Sequence, residues 1–595
     1  MAKELMSGNE AVARGACEAG VSFASAYPGT PGTEILENIG EKYSDRIICE
    51  WAPNEKVAFE AAVGASIIGG RSMAAMKHVG LNVAADPMCT FAYTGVNGGM
   101  FFVSADDPGM HSSQNEQDNR YYARFAKIAM LEPSDSQECK DMVKTALEIS
   151  ERFDTPVMLR MTTRVCHSKS LVEFGEPVEQ VKREYVKNRT KFDPVPAMAK
   201  IMHSMVEKRW KALGEFADEC ALTREIWNGG DIGIISSGAA FNYAVEVFGD
   251  RASYLKLGFT CPLPMGKIKE FAGKVKKLYV VEELEPYMED QLRAAGIECV
   301  GKALIPEEGE LNPDIIRAAL TGEETPTIQY DKSVVAGRPP MLCAGCPHVG
   351  LFYELGKIKD VVAVGDIGCY ALSGNPPLNA KDFALCMGAG FSMAHGAAKI
   401  TEKFGAGHKI VAVMGDSTFF HSGMTSLLDA VYNNSNAVFI IVDNRITGMT
   451  GHQENPGSGF TITGAPAPEA DIEGIARSFG MKDIHKVNPM DLAAVREALN
   501  ASLAFEGPSL IITRYPCVLK KWSQEDKDEF APDRTPYFVD HDKCIGCRSC
   551  IRVGCPALSY DKNAKKASVD PRTCAGCGVC AQVCPKKAIS RKAGE

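Results

Sequence analysis

Lys409-Ile410-Val411-Ala412-Val413-Met414-Gly415-Asp416-Ser417-Thr418 is followed, after one helical run, by Ala437-Val438-Phe439-Ile440-Ile441-Val442-Asp443-Asn444. Each stretch is a short, near-continuous apolar run with β-branched residues that ends in a polar pair. Such runs predict parallel strands covered on both faces. Phe419 to Tyr432, between them, predicts a crossover helix. The two polar pairs then stand at the carboxyl ends of parallel strands, where open α/β sheets bind ligands. An Asp carboxylate and an Asn amide oxygen meeting there suit Mg²⁺, which takes an octahedron of oxygens and shares them with phosphate. The helix start after Ser417 offers free N–H groups to that phosphate. An ordinary strand–turn–helix, with Asp416 capping the helix, accounts for the same residues without a ligand.

The chain has 595 residues, enough for several domains. Its formal charge of −10 gives no electrostatic case for nucleic acid. No apolar run approaches the roughly 20 residues that cross a bilayer, so no membrane association is expected. The first twenty residues carry acids and lack the apolar core of a signal peptide. Twenty-one cysteines, many in CxxC patterns, then point to metal or clusters in a reducing cytoplasm rather than to disulfides.

Residues 1–180 predict one α/β domain. A helix over Met6–Ala19 precedes a strand that runs into Tyr27-Pro28-Gly29-Thr30-Pro31, a rigid loop whose Thr30 hydroxyl is free to meet a ligand or merely to turn the chain. Asn54-Glu55 open a helix rich in small residues. Glu55 stands in its first turn, where the helix dipole favours a carboxylate whether or not it has chemistry to do. Strands over Arg71–Lys77 and Gly98–Val103 end in His78-Val79-Gly80 and in Ser104-Ala105-Asp106, with a polar loop over His111–Asn119. Polar loops at successive strand ends mark a binding edge. Residues 181–230 predict a charged helical connector, 231–330 a smaller α/β domain, and 340–520 the domain of the opening stretch. A charged linker over Lys520–Arg534 leads to a cysteine-rich domain at 536–595.

That tail holds Cys544-x2-Cys547-x2-Cys550 with Cys555-Pro556, then Cys574-x2-Cys577-x2-Cys580 with Cys584-Pro585. Three thiolates at this spacing serve three corners of a [4Fe–4S] cube, and the fourth of each run serves the other cube. The expected sets are Cys544, Cys547, Cys550 and Cys584, and Cys574, Cys577, Cys580 and Cys555. The four-residue gap from Cys550 to Cys555 is one longer than the ferredoxin pattern. A zinc ribbon is the competing structure. Cys343, Cys346, Cys369 and Cys517 all fall in loops or at strand ends of the 340–520 domain, so they form a candidate site for a third cluster or else buried thiols beside a spare CxxC.

The Gly415-Asp416-Ser417 and Asp443-Asn444 pairs resemble the thiamin diphosphate motif, GDG followed some thirty residues on by NN. With the ferredoxin-like tail, the order of parts is similar to that of the 2-oxoacid:ferredoxin oxidoreductases, and most like the large subunit of their indolepyruvate-acting branch. The resemblance implies an α/β fold with two thiamin diphosphate-binding-type domains (1–180 for the pyrimidine, 340–520 for the diphosphate and Mg²⁺), a transketolase C-terminal-like domain at 231–330, and the two-cluster ferredoxin-like domain. It implies Mg²⁺ on Asp416, Asn444 and the Ile446 carbonyl. Gly415, Ser417 and Thr450 lie beside the diphosphate, Glu55 on the aminopyrimidine, and Thr30 of the YPxTP loop on the substrate. It gives Cys343, Cys346, Cys369 and Cys517 a third [4Fe–4S] cluster. Ser417, Asp443 and His452 (in a TGGQ-like Thr450–Gln453) depart from the pattern, and Ser104–Asp106 lacks an arginine that pyruvate-specific relatives carry for the substrate carboxylate. The activity implied is oxidative decarboxylation of an aryl 2-oxoacid with CoA, the electrons passing to ferredoxin, or the same reaction on another 2-oxoacid. The partner implied is a small beta subunit in an α₂β₂ enzyme. A non-oxidative thiamin decarboxylase is the rival, and it has no use for the tail.

Overall fold

A computed structural model describes residues 2–180, 182–405 and 407–591. The chain divides into two compact units, Met1–Tyr330 and Asp331–Glu595.

The first unit is built on a seven-stranded sheet in the order Phe259–Cys261, Ala129–Leu131, Val157–Thr162, Met100–Asp106, Ser72–Lys77, Phe23–Ala26, Ile48–Trp51. All neighbours are parallel except the first pair. Ala26, Trp51, Lys77, Asp106 and Thr162 therefore end on one sheet edge, and the loops that follow them share it. The expected helix near the N-terminus is Gly8–Glu18, started by Ser7 and Glu10 in a reciprocal capping box. A second sheet runs Lys277–Val281, Ile232–Ser237, Ser253–Leu257, Arg224–Ile226. Strand Phe259–Cys261 leaves this region to join the edge of the larger sheet. Much of residues 181–230 is one long helix, Pro196–Glu219, that buries Met202, Val206 and Leu213.

One strand is longer than the sequence pattern implies. Met100–Asp106 continues through Ser104 and Ala105, all buried, rather than opening into a loop after Val103. The cause is electrostatic. Asp106 receives Arg160 Nε at 2.9 Å from the adjoining strand, and Asn119 donates to Ser104 Oγ at 2.8 Å. A second buried arginine, Arg120, bonds Asp118 and, at 2.7 Å, Glu282 of the smaller sheet. Arg160 also reaches Glu132 at 2.7 Å. These pairs are nearly solvent-free, so removing one partner strands a charge and costs about 3–5 kcal/mol.

The second unit carries a five-stranded, all-parallel sheet in the order Val361–Val364, Lys409–Gly415, Val438–Asp443, Ser509–Arg514, Asp483–Val487. Its continuous apolar runs are explained by burial on both faces. Val411, Val413, Ile440 and Val442 join one core, and Ile410, Ala412, Met414 and Ile441 join the other. Each Val, Ile or Met among them contributes about 1.5–3 kcal/mol. The helix after the first strand begins at Asp416, three residues earlier than the sequence pattern suggests, and widens into a π turn over Phe419–Gly423 before Met424–Tyr432. A Cβ on Gly423 would meet Met414 Sδ, so the π turn packs closely on the strand before it.

The Lys520–Arg534 segment is folded onto this sheet rather than being a free linker. It forms helix Gln524–Phe530, and its Asp526 is buried 3.1 Å from both Lys520 Nζ and Arg445 Nη1. Trp522 and Phe530 pack edge-on to Tyr515. The cysteine-rich tail follows as two small antiparallel ladders, Tyr537–Val539 with Ile589–Arg591 and Leu558–Asp561 with Lys566–Val569. Gln582 ties it to the domain of the five-stranded sheet through Met490 O at 2.7 Å and Leu492 N at 3.0 Å.

Candidate functional site

In the first unit, Asn54 caps the helix Glu55–Ile67 by accepting from Val57 N at 2.9 Å. That cap turns Glu55, the first helical residue, inward, where it is buried. Gly80 makes room for it: a Cβ there would sit 2.5 Å from Glu55 Oε1, so only glycine permits the carboxylate to lie across the next strand's end. Glu60, one turn and a half later, is exposed and paired with Lys56 at 2.6 Å. Thr30 is half-buried in the Tyr27–Gly32 loop, and that loop packs onto the same edge: a Cβ on Gly29 would lie 2.9 Å from Lys77 Cβ.

Lys77 is a residue that sequence reasoning passed over. It ends the strand Ser72–Lys77 and is buried, its ammonium donating to Ser112 O at 2.8 Å, with Asp107 at 4.0 Å. Burial pushes its pKa down to about 8 despite Asp107. The available signal was a lysine closing an otherwise apolar, small-residue strand. His78 beside it is fully buried and 3.2 Å from Asn115 Oδ1, its basicity lowered by burial and by the Lys77 charge. The polar loop is pinned over this edge by Asn119 and Gln117, which both donate to His78 O.

In the second unit, Asp416, Asn444 and Ile446 converge. The Asn444 amide oxygen lies 2.7 Å from the Ile446 carbonyl oxygen and 3.1 Å from Asp416 Oδ1. It also accepts a long 3.3 Å bond from Ile446 N. Three oxygens facing one another are repulsive unless the amide turns over or a cation sits among them, and a divalent ion satisfies all three together. Asp416 Oδ2 is held by Asn455 Nδ2 at 3.1 Å. Burial, then the neighbouring Asp443, pushes the Asp416 carboxyl up to about 7. An added positive charge would oppose both causes.

The three departures from the motif each have a local partner. Ser417 Oγ bonds Thr447 Oγ1 at 2.8 Å. Asp443 receives Arg514 at 2.9 Å and Arg445 N at 3.1 Å. His452 keeps a left-handed backbone at φ 70°, the conformation a glycine adopts without strain. Arg445 is also left-handed, at φ 58°, and is held by Asp526 and Glu469. Strained residues held by their surroundings gather at ligand loops. Gly415 and Ser417 are buried at the strand–helix junction, and Thr450 bonds Gln453 at the end of the loop.

Four cysteines border that same loop. Cys517 N donates to Asn444 O at 3.0 Å. Cys369 Sγ is 3.9 Å from where a Gly448 Cβ would stand, and Tyr370 beside it bonds Thr418 Oγ1 at 2.8 Å. Cys343, Cys346, Cys369 and Cys517 lie close enough that each buried thiol feels its neighbours' charge; burial pushes Cys369 up to about 11.

The tail cysteines divide four and four. Cys555, Cys574, Cys577 and Cys580 line one cavity, which Cys343 and Cys346 share. Cys544, Cys547, Cys550 and Cys584 line another. Among the described residues no three thiols, imidazoles or carboxylates converge on one point as a single zinc requires. Thiolates on a four-iron cube stand wider, one to each iron. Among the described residues, too, no helix is long and apolar enough to cross a membrane.

Three protein families match in the order the fold presents. Residues 14–211 match the thiamin diphosphate-binding domain of pyruvate flavodoxin/ferredoxin oxidoreductases. Residues 366–513 match the C-terminal domain of thiamine pyrophosphate enzymes that binds the cofactor, and 536–585 match the 4Fe-4S dicluster domain. The chain thus has thiamin diphosphate-binding domains and an iron–sulfur domain. Indolepyruvate oxidoreductase subunit IorA of Methanothermobacter thermautotrophicus is 40% identical over 99% of this chain and 97% of its own. The subunit of the same name from Archaeoglobus fulgidus is 39% identical over 99% and 97%, and that from Pyrococcus abyssi 40% identical over 99% and 96%. With identity at that level running from the first sheet through the cysteine tail, the chain belongs to the family of indolepyruvate oxidoreductase IorA subunits.

Proposed function

We propose that this chain catalyses oxidative decarboxylation of an aryl 2-oxoacid of the indolepyruvate kind, with CoA, to the acyl-CoA and carbon dioxide, its electrons leaving to ferredoxin. The observation that carries this reading is the loop Asp443–Gly448. One side of it offers the oxygen triad of Asp416, Asn444 and Ile446, and the other bears on Cys369 and Cys517. A decarboxylase without electron export has no reason to build thiols onto its cation loop.

Bound thiamin diphosphate supplies a nucleophilic carbon and an electron sink. Asp416, Asn444 and the Ile446 carbonyl would hold Mg²⁺, and Gly415, Ser417 and Thr450 would bind the diphosphate. Glu55 would hold the aminopyrimidine and exchange a proton with it; its burial against Gly80 keeps the carboxylate away from bulk water. Thr30 and Lys77, on the same sheet edge, receive the substrate's carbonyl and carboxylate, so Lys77 takes the part of the arginine missing from Ser104–Asp106. Cys544, Cys547, Cys550 and Cys584 hold one [4Fe–4S] cluster, Cys574, Cys577, Cys580 and Cys555 a second, and Cys343, Cys346, Cys369 and Cys517 a third. The enzyme is cytoplasmic and complete only with a small beta subunit, as α₂β₂.

The test is anaerobic reduction of a viologen dye by the two-subunit enzyme with CoA and a panel of 2-oxoacids. Indolepyruvate and phenylpyruvate are expected to give the largest kcat/KM. Dye reduction with pyruvate alone would move the substrate assignment, and aldehyde release without dye reduction would defeat the oxidative reading.

A further inference from the structure

The cysteine-rich tail is cationic in a chain that is anionic overall. Residues 536–591 hold ten lysines and arginines against four aspartates, a surplus of six positive charges in a chain whose net charge is −10. Three of these cations are paired: Lys543 with Asp540, Arg572 with Asp570, Arg591 with Asp533. Among the described residues no carboxylate stands within ion-pair distance of the other seven, Lys562 and the group Arg548, Arg552, Lys565, Lys566, Lys586 and Lys587.

All of these but Lys562 lie on the segments that build one of the two cysteine cavities. Arg548 and Lys586 line the cavity of Cys544, Cys547, Cys550 and Cys584 itself. Arg552 donates to Ser549 Oγ at 3.3 Å, beside Cys547. Lys566 donates to the carbonyls of His541 and Cys544, each at 2.6 Å. Lys565 and Lys587 belong to this site through their backbones: the Lys565 carbonyl abuts Gly546, and Lys587 N donates to Cys584 O at 3.1 Å. At the centre Cys547 is exposed and Ile545 is 60% exposed, an apolar tip inside a cationic ring. This cavity is also the outer one, since Cys343 and Cys346 line the other.

We propose that this ring is the docking surface for a small acidic iron–sulfur protein, the ferredoxin that exchanges single electrons with the chain. The proposal rests on the redox reading above. Unpaired cations around an exposed thiol site attract an anionic carrier, while the remainder of the chain, with a net charge of −16, repels it. The field then turns the incoming carrier toward the thiols of Cys544, Cys547, Cys550 and Cys584. Ile545 supplies the apolar contact that a polar rim needs at its centre.

The experiment uses the complete two-subunit enzyme and its triple variant Arg548→Glu, Lys586→Glu, Lys587→Glu. Calorimetry measures the Kd for an oxidised acidic ferredoxin at several salt concentrations, and kinetics compare that ferredoxin with the dicationic methyl viologen. The unmodified enzyme is expected to lose ferredoxin affinity steeply with salt. The variant is expected to bind at least about tenfold more weakly with a flat salt slope, while viologen reduction and iron content are retained. Equal affinity and equal salt slope in the two proteins would overturn the proposal, as would salt-independent binding to the unmodified enzyme, which needs no variant. Loss of the small subunit from the variant on gel filtration would also overturn it, assigning the ring to subunit contact. Should no 2-oxoacid reduce viologen, the redox reading fails while the calorimetry still decides the docking surface.

Discussion

The five-stranded sheet of the second unit keeps its central strands apolar up to their last residues, where Asp443 meets Arg514, whereas the seven-stranded sheet of the first unit carries buried charge within a strand, at Arg160, as well as at strand ends. Ile410–Met414 and Val438–Val442 are apolar throughout and feed one core on each face. Lys77, Asp106 and Arg160 are equally buried but polar, and they stand at or near the binding edge of their sheet. The difference teaches that one sheet is a passive platform whose chemistry lies in the loops beyond it. In the other, Lys77, Asp106 and Arg160 bring charge into the strands themselves.

The comparison can be broken or sharpened by substitution. The largest effect is expected at the edge of the charged sheet. Glu55→Gln removes the buried proton carrier and is expected to lower kcat about 10²–10⁴-fold with iron content unchanged, while Glu60→Gln stays within about twofold. Equal losses at the two positions, measured by viologen reduction, would remove the distinction between inward and outward carboxylates. Next in size is the buried ion network. Arg120→Met leaves Asp118 and Glu282 without their cation, and is expected to destabilise the first unit by about 3–5 kcal/mol in denaturant unfolding. An unchanged midpoint would mean that the network is solvated.

The smallest effect is a pH dependence. Burial pushes the Glu283 carboxyl from an ordinary value near 4.5 up to about 7. The folded state therefore keeps a proton that the unfolded chain has lost between those two values. That contribution to stability is full below about pH 4.5 and declines as pH rises through about 7. Glu283→Gln is expected to leave stability at pH 5 nearly unchanged and to raise it by about 1–3 kcal/mol at pH 8. A variant less stable at pH 8 would show that the ionised carboxylate is wanted.

The contrast between the sheets also governs what the sequence discloses. Lys409–Met414 and Ala437–Val442 could be read because a two-faced core demands one residue type over several consecutive positions. The grouping of the tail cysteines could be read because thiolate spacing is fixed by the cube. Strand Met100–Asp106 reads short from sequence because Ser104 and Asp106 look like loop residues until Arg160 and Asn119 are found beside them in space. Lys77 was passed over for the same reason: its burial depends on the Gly29 loop and Ser112, neither of which is its sequence neighbour. Lys520–Arg534 reads as a linker until Asp526 meets Arg445. Apolar periodicity is local, whereas charge compensation is made by tertiary contact.

The central claim is that the cation loop and the electron outlet are built on one piece of backbone, with Cys369 and Cys517 against Asn444–Gly448. Iron analysis with spin quantitation of the reduced, purified two-subunit enzyme and of its Cys369→Ser variant tests it most directly. The account predicts about twelve irons per large chain, three four-iron clusters, falling toward about eight in the variant with the dicluster signals intact. About eight irons in both proteins would contradict it.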